Sequence, residues 1–229
     1  SLVFIIETPI SSFNYPKSSY FAARDSPFLI TPSVSGDNPS YRIESGLLPT
    51  GLSLNNTSGI ISGIPSQALS SRKVIIGAFN SVGSCIFTLT FTIRILPSYL
   101  SYPKSEYYIQ TNSSFSIYPH YIGDSLVFTI ESGILPSGLS LNPSSGVIRG
   151  VVVTSTELTH ITVKASNEIG MCQCTLSISV VQPITSFSYS QSSFSLTKRE
   201  PFSVTPIVIG ESPSFNVTSG SLPTGLTLN

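Results

Sequence analysis

Hydrophobic and polar residues alternate with period two along most of the chain, and no long stretch follows the 3.6-residue period of a helix. The clearest case lies near residue 90, where Phe87, Leu89 and Phe91 alternate with Thr88 and Thr90. Gly, Pro, Asn and Ser separate the short apolar segments. This pattern predicts an all-β fold of short strands joined by tight turns.

A ten-residue motif occurs three times: residues 46–55 read GLLPTGLSLN, residues 133–142 read GILPSGLSLN, and residues 220–229 read GSLPTGLTLN. The step is 87 residues, from 49 to 136 to 223 for the motif's proline. Other positions repeat at the same step: Gly36/Gly123/Gly210, Tyr15/Tyr102/Tyr189, Asn80/Asn167, Gly83/Gly170 and Cys85/Cys172. The chain is therefore a tandem array of units of about 87 residues.

The first full unit contains six clear strand patterns after an irregular strand at 13–21. They cover 28–34, 40–44, 52–54, 60–64, 73–80 and 85–95. Seven short strands in fewer than about a hundred residues predict a β-sandwich. We expect the sandwiches to follow one another in an end-to-end rod, because the segments around Pro97 and Pro183 contain no glycine.

The repeat phase predicts four segments. Residues 1–9 form the last strand of a preceding repeat, 10–96 and 97–183 are complete units, and 184–229 are the first half of a third. Two explanations remain open, of which the first is favoured: the sequence is a window from a longer array, or separate subunits complete one another by strand exchange at their ends. Both predict a filament of head-to-tail sandwiches in which copies of the chain are the partners.

The surface carries few charges. Charged residues make up 10% of the chain and the formal net charge is zero, so there is no basic patch for nucleic acid. No apolar run reaches the roughly 20 residues of a membrane span. Ser and Thr supply the polarity, which favours an extracellular or cell-surface location. The three cysteines, Cys85, Cys172 and Cys174, are an odd number and exclude a complete internal disulfide framework.

The motif and the residues after it resemble a known family, the Ig-like repeat of bacterial and protist surface proteins, which is related to cadherin-like modules of dystroglycan type. The resemblance rests on LPTGLSL at 48–54, the Ser58-Gly59 turn and ISGIP at 61–65, and the second unit departs from it only where Val152 replaces the proline. It implies an Ig-like or cadherin-like sandwich. Cadherin relatives bind calcium through acidic junction motifs, whereas the junction segments here have almost no carboxylates; we expect no metal and no cofactor.

Few residues are candidates for chemistry. His120 and His160 are not repeated, and the pairing of His120 with Asp124 is better explained by a surface turn, so we expect no enzyme activity. Four asparagines lie in Asn-x-Ser/Thr acceptor motifs for N-linked glycans: Asn55, Asn56, Asn112 and Asn216.

Two functions are compatible with these features. The first is a structural component of an extracellular fibre or surface stalk, glycosylated at some of the four asparagines. The alternative is an adhesin or carbohydrate-binding surface protein, in which exposed aromatic rings, Tyr107 and Tyr108 among them, contact the ligand.

Overall fold

The computed structural model describes residues 6–211 and 213–229. Every regular element in this part of the chain is a β-strand, which confirms the predicted all-β class. Of the strand predicted at residues 1–9, residues 1–5 lie outside the described residues, and residues 6–9 form no strand.

The first unit contains nine strands in two packed layers. The larger sheet has the order β2-β9-β8-β5, and β3-β7-β6 and the pair β1-β4 form the opposite layer. Their bounds are β1 Ser12–Asn14, β2 Ser19–Ala23, β3 Phe28–Ile30, β4 Ser33–Ser35, β5 Ser40–Ser45, β6 Leu52–Leu54, β7 Ile61–Gly63, β8 Leu69–Phe79 and β9 Ser84–Arg94.

The second unit repeats this arrangement with the orders β11-β18-β17-β14, β12-β16-β15 and β10-β13. Its strands are β10 Tyr99–Ser101, β11 Glu106–Gln110, β12 Ser114–Ile117, β13 His120–Ile122, β14 Val127–Ser132, β15 Leu139–Leu141, β16 Ile148–Val151, β17 Thr156–Asn167 and β18 Gly170–Val181. In both units the first strand of the larger sheet runs parallel to the last, β2 to β9 and β11 to β18.

Each unit has a separate hydrophobic core between its two layers. Inward-facing residues in the middle of the long hairpin are fully buried in both, for example Leu89 in the first unit and Leu176, at 1% exposure, in the second. The alternation along β9 and β18 follows from the period of a strand, which sends successive side chains to opposite faces. The predicted sandwich repeat is therefore confirmed for these two units.

In each core, a buried tyrosine is hydrogen-bonded to the turn that precedes the middle strand of the three-stranded sheet. The Tyr15 hydroxyl donates to the carbonyl oxygen of Gly59 at 2.5 Å, and the Tyr102 hydroxyl donates to that of Gly146 at the same distance. Burial raises the pKa of both phenols, so each remains a donor across the accessible pH range.

The predicted strand at 28–34 is wrong in one respect, because the structure divides it into β3 and β4. Pro32 lies between the two, and a proline has no N–H to continue a ladder. The chain changes partners there, since β3 pairs with β7 whereas β4 pairs with β1. Pro119 divides β12 from β13 in the same way.

Within residues 184–211 and 213–229, the structure has one strand pair, β19 Ser186–Ser188 with β20 Ile207–Ile209. It repeats the β1-β4 and β10-β13 pairs at the 87-residue step, from 12 to 99 to 186. Large apolar side chains of this segment are exposed, among them Phe187 and Ile209 at 52% each.

Candidate functional site

The chain passes from one unit to the next without a free linker residue. Strand β9 ends at Arg94, and the next residue, Ile95, is already hydrogen-bonded to the second unit. Strand β18 ends at Val181, and Gln182 is likewise bonded to the segment that follows it. We term the contacts around Thr8, Ile95 and Gln182 the joints; these three residues are separated by 87-residue steps.

In the first joint, the Asp37 carboxylate accepts the backbone N–H of Thr8 at 2.8 Å and its hydroxyl at 2.6 Å. The Asn80 side-chain amide donates to the carbonyl oxygens of both Thr8 and Asp37, at 2.8 Å each. The bonds from the Thr8 hydroxyl and backbone lower the pKa of Asp37, so the carboxylate stays ionised at neutral pH.

The second joint repeats this geometry with different side chains in the linker. The Asp124 carboxylate accepts the N–H of Ile95 at 2.6 Å, and the Asn167 amide donates to the carbonyl oxygens of Ile95 and Asp124 at 3.0 Å each. In the third, Glu211 accepts the N–H of Gln182 at 3.2 Å and donates its own N–H to the Gln182 carbonyl at 3.0 Å.

Glycines let the linker backbone approach the unit that follows. A β-carbon on Gly36 would lie 2.7 Å from the carbonyl oxygen of Pro9, and one on Gly83 would lie 2.8 Å from the Pro9 side chain. At the third joint, a β-carbon on Gly210 would lie 2.4 Å from the α-carbon of Ile184. A side chain in place of any of these three glycines would displace the linker backbone.

The second joint also holds an ion cluster. The Arg94 guanidinium donates to both carboxylate oxygens of Glu168, at 3.0 and 3.2 Å, and lies 3.8 Å from the Asp124 carboxylate. The Arg94 side chain is 15% exposed. Its hydrogen bonds lower the pKa of Glu168, and Glu168 raises that of Arg94. A planar, bidentate pair of this kind fixes orientation as well as distance.

The other joints use different chemistry at these positions. Glu7 stands where the second joint has Arg94, and its carboxylate accepts hydrogen bonds from Ser81 and Asn38. Ser81 in turn stands where the second joint has Glu168. The third joint has Val181 at this position. The bond from an acidic side chain to the linker backbone is thus common to the three joints, and the side-chain pairing differs from one to the next.

The four predicted glycan acceptors, Asn55, Asn56, Asn112 and Asn216, are all exposed. Asn55 also has a structural role, because its Oδ1 accepts the N–H groups of Thr57 and Ser58 at 2.9 and 3.0 Å. Asn142, which is followed by Pro143, caps the equivalent turn in the second unit. A glycan is attached through Nδ2, so capping and modification of Asn55 are compatible. Asn112 lies in a turn with φ +60°.

The two predicted contact tyrosines lie on opposite faces of β11. Tyr107 points inward and packs edge-on against Phe115, with ring centroids 5.4 Å apart. Tyr108 points outward and is 71% exposed, in register with Ser179 on β18. Glu106 lies on the same outer face, and its carboxylate raises the pKa of the Tyr108 phenol. Only Tyr108 is therefore presented for contact with a ligand.

The histidines do not converge on a reactive group. His120 is exposed, and Asp124 binds the backbone of Ile95 at the second joint. His160 Nδ1 lies 2.8 Å from the Ser177 hydroxyl on an exposed sheet face. Among the described residues, no three His, Cys, Asp or Glu side chains are grouped so that they could hold a metal ion. That part of the chain also has no helix long and apolar enough to cross a membrane.

The cysteines are half-buried in strands β9 and β18. The Cys85 thiol lies 3.4 Å from the carbonyl oxygen of Ile10, and burial raises the pKa of the Cys174 thiol to about 11. A thiol with a raised pKa is a poor nucleophile at neutral pH. This environment is that of a small hydrophobic core residue.

The role of the acidic residues at the joints was not predicted from the sequence, in which Asp124 was assigned only to a surface turn. Asp37, Asp124 and Glu211 share one repeat phase, and this was the signal that could have found them. They lie 29 residues from the linker residues that they bind, so the junction segments themselves look free of carboxylates.

The fold and the joints define a tandem array of immunoglobulin-like β-sandwiches. The family model described as "Putative Ig domain" matches residues 5–96 and again 95–181, and the chain belongs to this family. No curated protein sequence matches the chain significantly.

Three solved structures show the same fold. Sidekick-1 immunoglobulin domains 1–4 align at 11% identity with a TM-score of 0.52, over 76% of this chain and 49% of that one. Domains 1–5 of Sidekick-1 align at 11% and 0.52, over 80% and 41%. The N-terminal eight Ig domains of Down Syndrome Cell Adhesion Molecule isoform 1.30.30 align at 13% and 0.50, over 76% and 26%. This chain spans less than half the length of each.

Proposed function

We propose that the chain is part of an extracellular fibre or surface stalk built from head-to-tail Ig-like units. The observation that carries this proposal is the recurrence of the joint. An acidic side chain binds the linker backbone at Thr8, Ile95 and Gln182, with no free residue between the preceding strand and the clamp at the last two. A device repeated once per unit favours reach and stiffness over a single binding site.

Electron microscopy of the native material tests the structural role. Ordered filaments with an axial repeat of one or two units are expected. Single beaded chains with no end-to-end or lateral order would overturn the filament and leave a monomeric stalk. Copies of the same chain are the proposed partners, joined covalently as further repeats or by strand exchange at their ends.

Glycosylation is part of this proposal, because a sugar coat would supply hydration to the surface of a chain in which only 10% of the residues are charged. The exposure of Asn55, Asn56, Asn112 and Asn216 supports it. Removal of N-linked glycans from the native protein, followed by peptide mass spectrometry, should mark some of these asparagines as deamidated. Unmodified peptides at all four positions would remove this part of the proposal.

An adhesin or carbohydrate-binding protein is the second candidate, and the exposure of Tyr108 favours it. The exposed Tyr108 ring offers a sugar a stacking surface, and Ser177 and His160, which are hydrogen-bonded to each other, are polar residues on the next two strands of the same sheet. A glycan array probed with the full chain tests this candidate. Binding lost in Tyr108→Ala and kept in Tyr118→Ala, which alters a ring that is 65% exposed elsewhere, would support it. Absence of binding by the unmodified chain would exclude it.

A further inference from the structure

The backbone at the second joint is held from both sides. On the first unit, the carbonyl oxygen of Arg94 accepts the N–H of Arg24 at 2.8 Å, which continues the β2-β9 ladder. On the second unit, both polar backbone groups of the next residue, Ile95, are bonded, the N–H to Asp124 and the carbonyl to Asn167. Two consecutive residues therefore belong to two different units, and no unbonded residue separates them.

The Arg94 side chain crosses the same boundary. Its backbone belongs to the ladder of the first unit, whereas its guanidinium is bound to Glu168 in the β17–β18 hairpin of the second. Asn167, the neighbour of Glu168, anchors the linker from the same hairpin, and Asp124 anchors it from the segment between β13 and β14. Contacts from two separate segments of the second unit resist both bending and rotation of the first.

From this geometry we propose that the Asp124–Asn167 clamp fixes the orientation of the first unit relative to the second, so that the two tumble as one rigid body. The equivalent pair Asp37–Asn80 makes the same hydrogen bonds to the backbone of Thr8. The clamp is made of side-chain hydrogen bonds to the backbone, and the residue that it holds differs between the two joints, Thr8 in one and Ile95 in the other. The stalk obtains its stiffness from the clamp whatever the linker side chain is; this inference rests on the proposed function for its biological meaning.

Residual dipolar couplings of the full isotopically labelled chain test the inference. Alignment tensors fitted separately to the strands of the first and second units should coincide in the unmodified protein. In Asn167→Asp, Oδ1 still accepts the N–H of Ile169 as in the native hairpin, but the donor to Ile95 is replaced by an acceptor that faces two carbonyl oxygens. The two tensors should then separate in magnitude and orientation.

Asn56→Asp is the matched control, because it makes the same chemical change on an exposed side chain away from the joint. It should leave one common tensor. Asp124→Ala removes the other half of the clamp from a different segment, and it decides the question if the hairpin of Asn167→Asp does not fold. A common tensor in every variant whose two units remain folded would overturn the inference, as would two different tensors in the unmodified chain.

These outcomes are distinct from those of the proposed function. A common alignment tensor in a protein that never forms ordered filaments would contradict the proposed fibre and support the role of the clamp. Ordered filaments built from chains whose two units have independent tensors would support the fibre and contradict the role of the clamp.

Discussion

Tyr102 combines an aromatic ring packed in the core of the second unit with one buried hydrogen bond. Its ring is 8% exposed in the core, and its hydroxyl satisfies the carbonyl of Gly146 at the turn after β15. Tyr15 makes the same bond in the first unit. Phenylalanine would keep the packing and leave a buried carbonyl without its donor.

Tyr102→Phe is therefore expected to lower the free energy of unfolding of the second unit by about 1–3 kcal/mol. Denaturant unfolding followed by the NMR signals of each unit measures it, and the first unit should be unaffected. Tyr118→Phe, on an exposed ring, should change stability by less than about 0.5 kcal/mol. Equal effects of the two substitutions would show that the buried hydroxyl contributes nothing.

Gly138 is required by its backbone and by its surroundings. Its φ is +94°, and a β-carbon would lie 1.9 Å from the carbonyl oxygen of Val151. Gly51 has the same φ and meets Ile64 in the same way. The left-handed conformation and the overlap with rigid backbone act together against any side chain.

Gly138→Ala is expected to destabilise the second unit by about 2–5 kcal/mol, from left-handed strain of about 1–2 and overpacking of about 1–3 kcal/mol. Unfolding curves of the second unit give the value. Gly77→Ala is the control, since Gly77 has an ordinary φ and the three atoms nearest to its added methyl group all belong to the flexible Glu44 side chain. A loss of stability for Gly138→Ala no larger than that for Gly77→Ala would contradict the requirement for glycine at position 138.

At the scale of elements, the hairpin β17–β18 supplies the two central strands of the larger sheet, and its tip reaches the joint. Glu168 at its tip has a lowered pKa because Arg94 donates to its carboxylate. A carboxyl group whose pKa is lower in the folded state contributes stability above its unfolded pKa. That contribution is lost as pH falls through the folded value.

Comparison of the protein with Glu168→Gln isolates this contribution. The unmodified protein should be more stable at neutral pH, by no more than about 1 kcal/mol because Glu168 is 40% exposed, and the difference should vanish in acid below the folded pKa of Glu168. Raising the salt concentration should also reduce it. A difference that persists unchanged into strong acid would mean that the Arg94 pair is not its source.

The long hairpin strands could be predicted well from the sequence, because the alternation of apolar and polar residues in β9 reflects one face in the core and one face in contact with water. The division of β3 from β4 could have been foreseen from Pro32, but the apolar run across it hid the change of sheet. The joint could not be predicted from the alternation of apolar and polar residues. Its carboxylates come from loops, and only contact in the folded unit brings Asp124 to Ile95.

The two predicted contact tyrosines on β11 show the same limit of prediction from sequence. Tyr107 and Tyr108 are identical in sequence terms, and the register of β11 with β18 decides which ring faces the core. A one-residue shift would exchange them. The alternation, the 87-residue repeat and the motif indicated the class of protein, whereas the site depended on which loops the sheets bring together.

For the molecule as a whole, the path of a pulling force is set by the strands at the ends of each unit. Strand β2, near the start of the first unit, runs parallel to β9 at its end, and β11 does the same with β18. Tension along a stalk would pull these paired strands in opposite directions along their length. The hydrogen bonds between them then bear the load together as a sheared ladder.

Arg24 allows this mechanical role to be tested. Its N–H donates to the Arg94 carbonyl at the end of the first ladder, and Thr111 donates to Val181 in the second. Proline at position 24 removes one bond from the loaded ladder and follows Ala23, whose strand conformation is compatible with a proline after it. In single-molecule pulling of the full chain, Arg24→Pro should lower the unfolding force of one of the two complete units and leave the other unchanged. Thr111→Pro should weaken the other unit instead. Unchanged forces in both variants would show that resistance lies elsewhere, in the antiparallel hairpins or the joints.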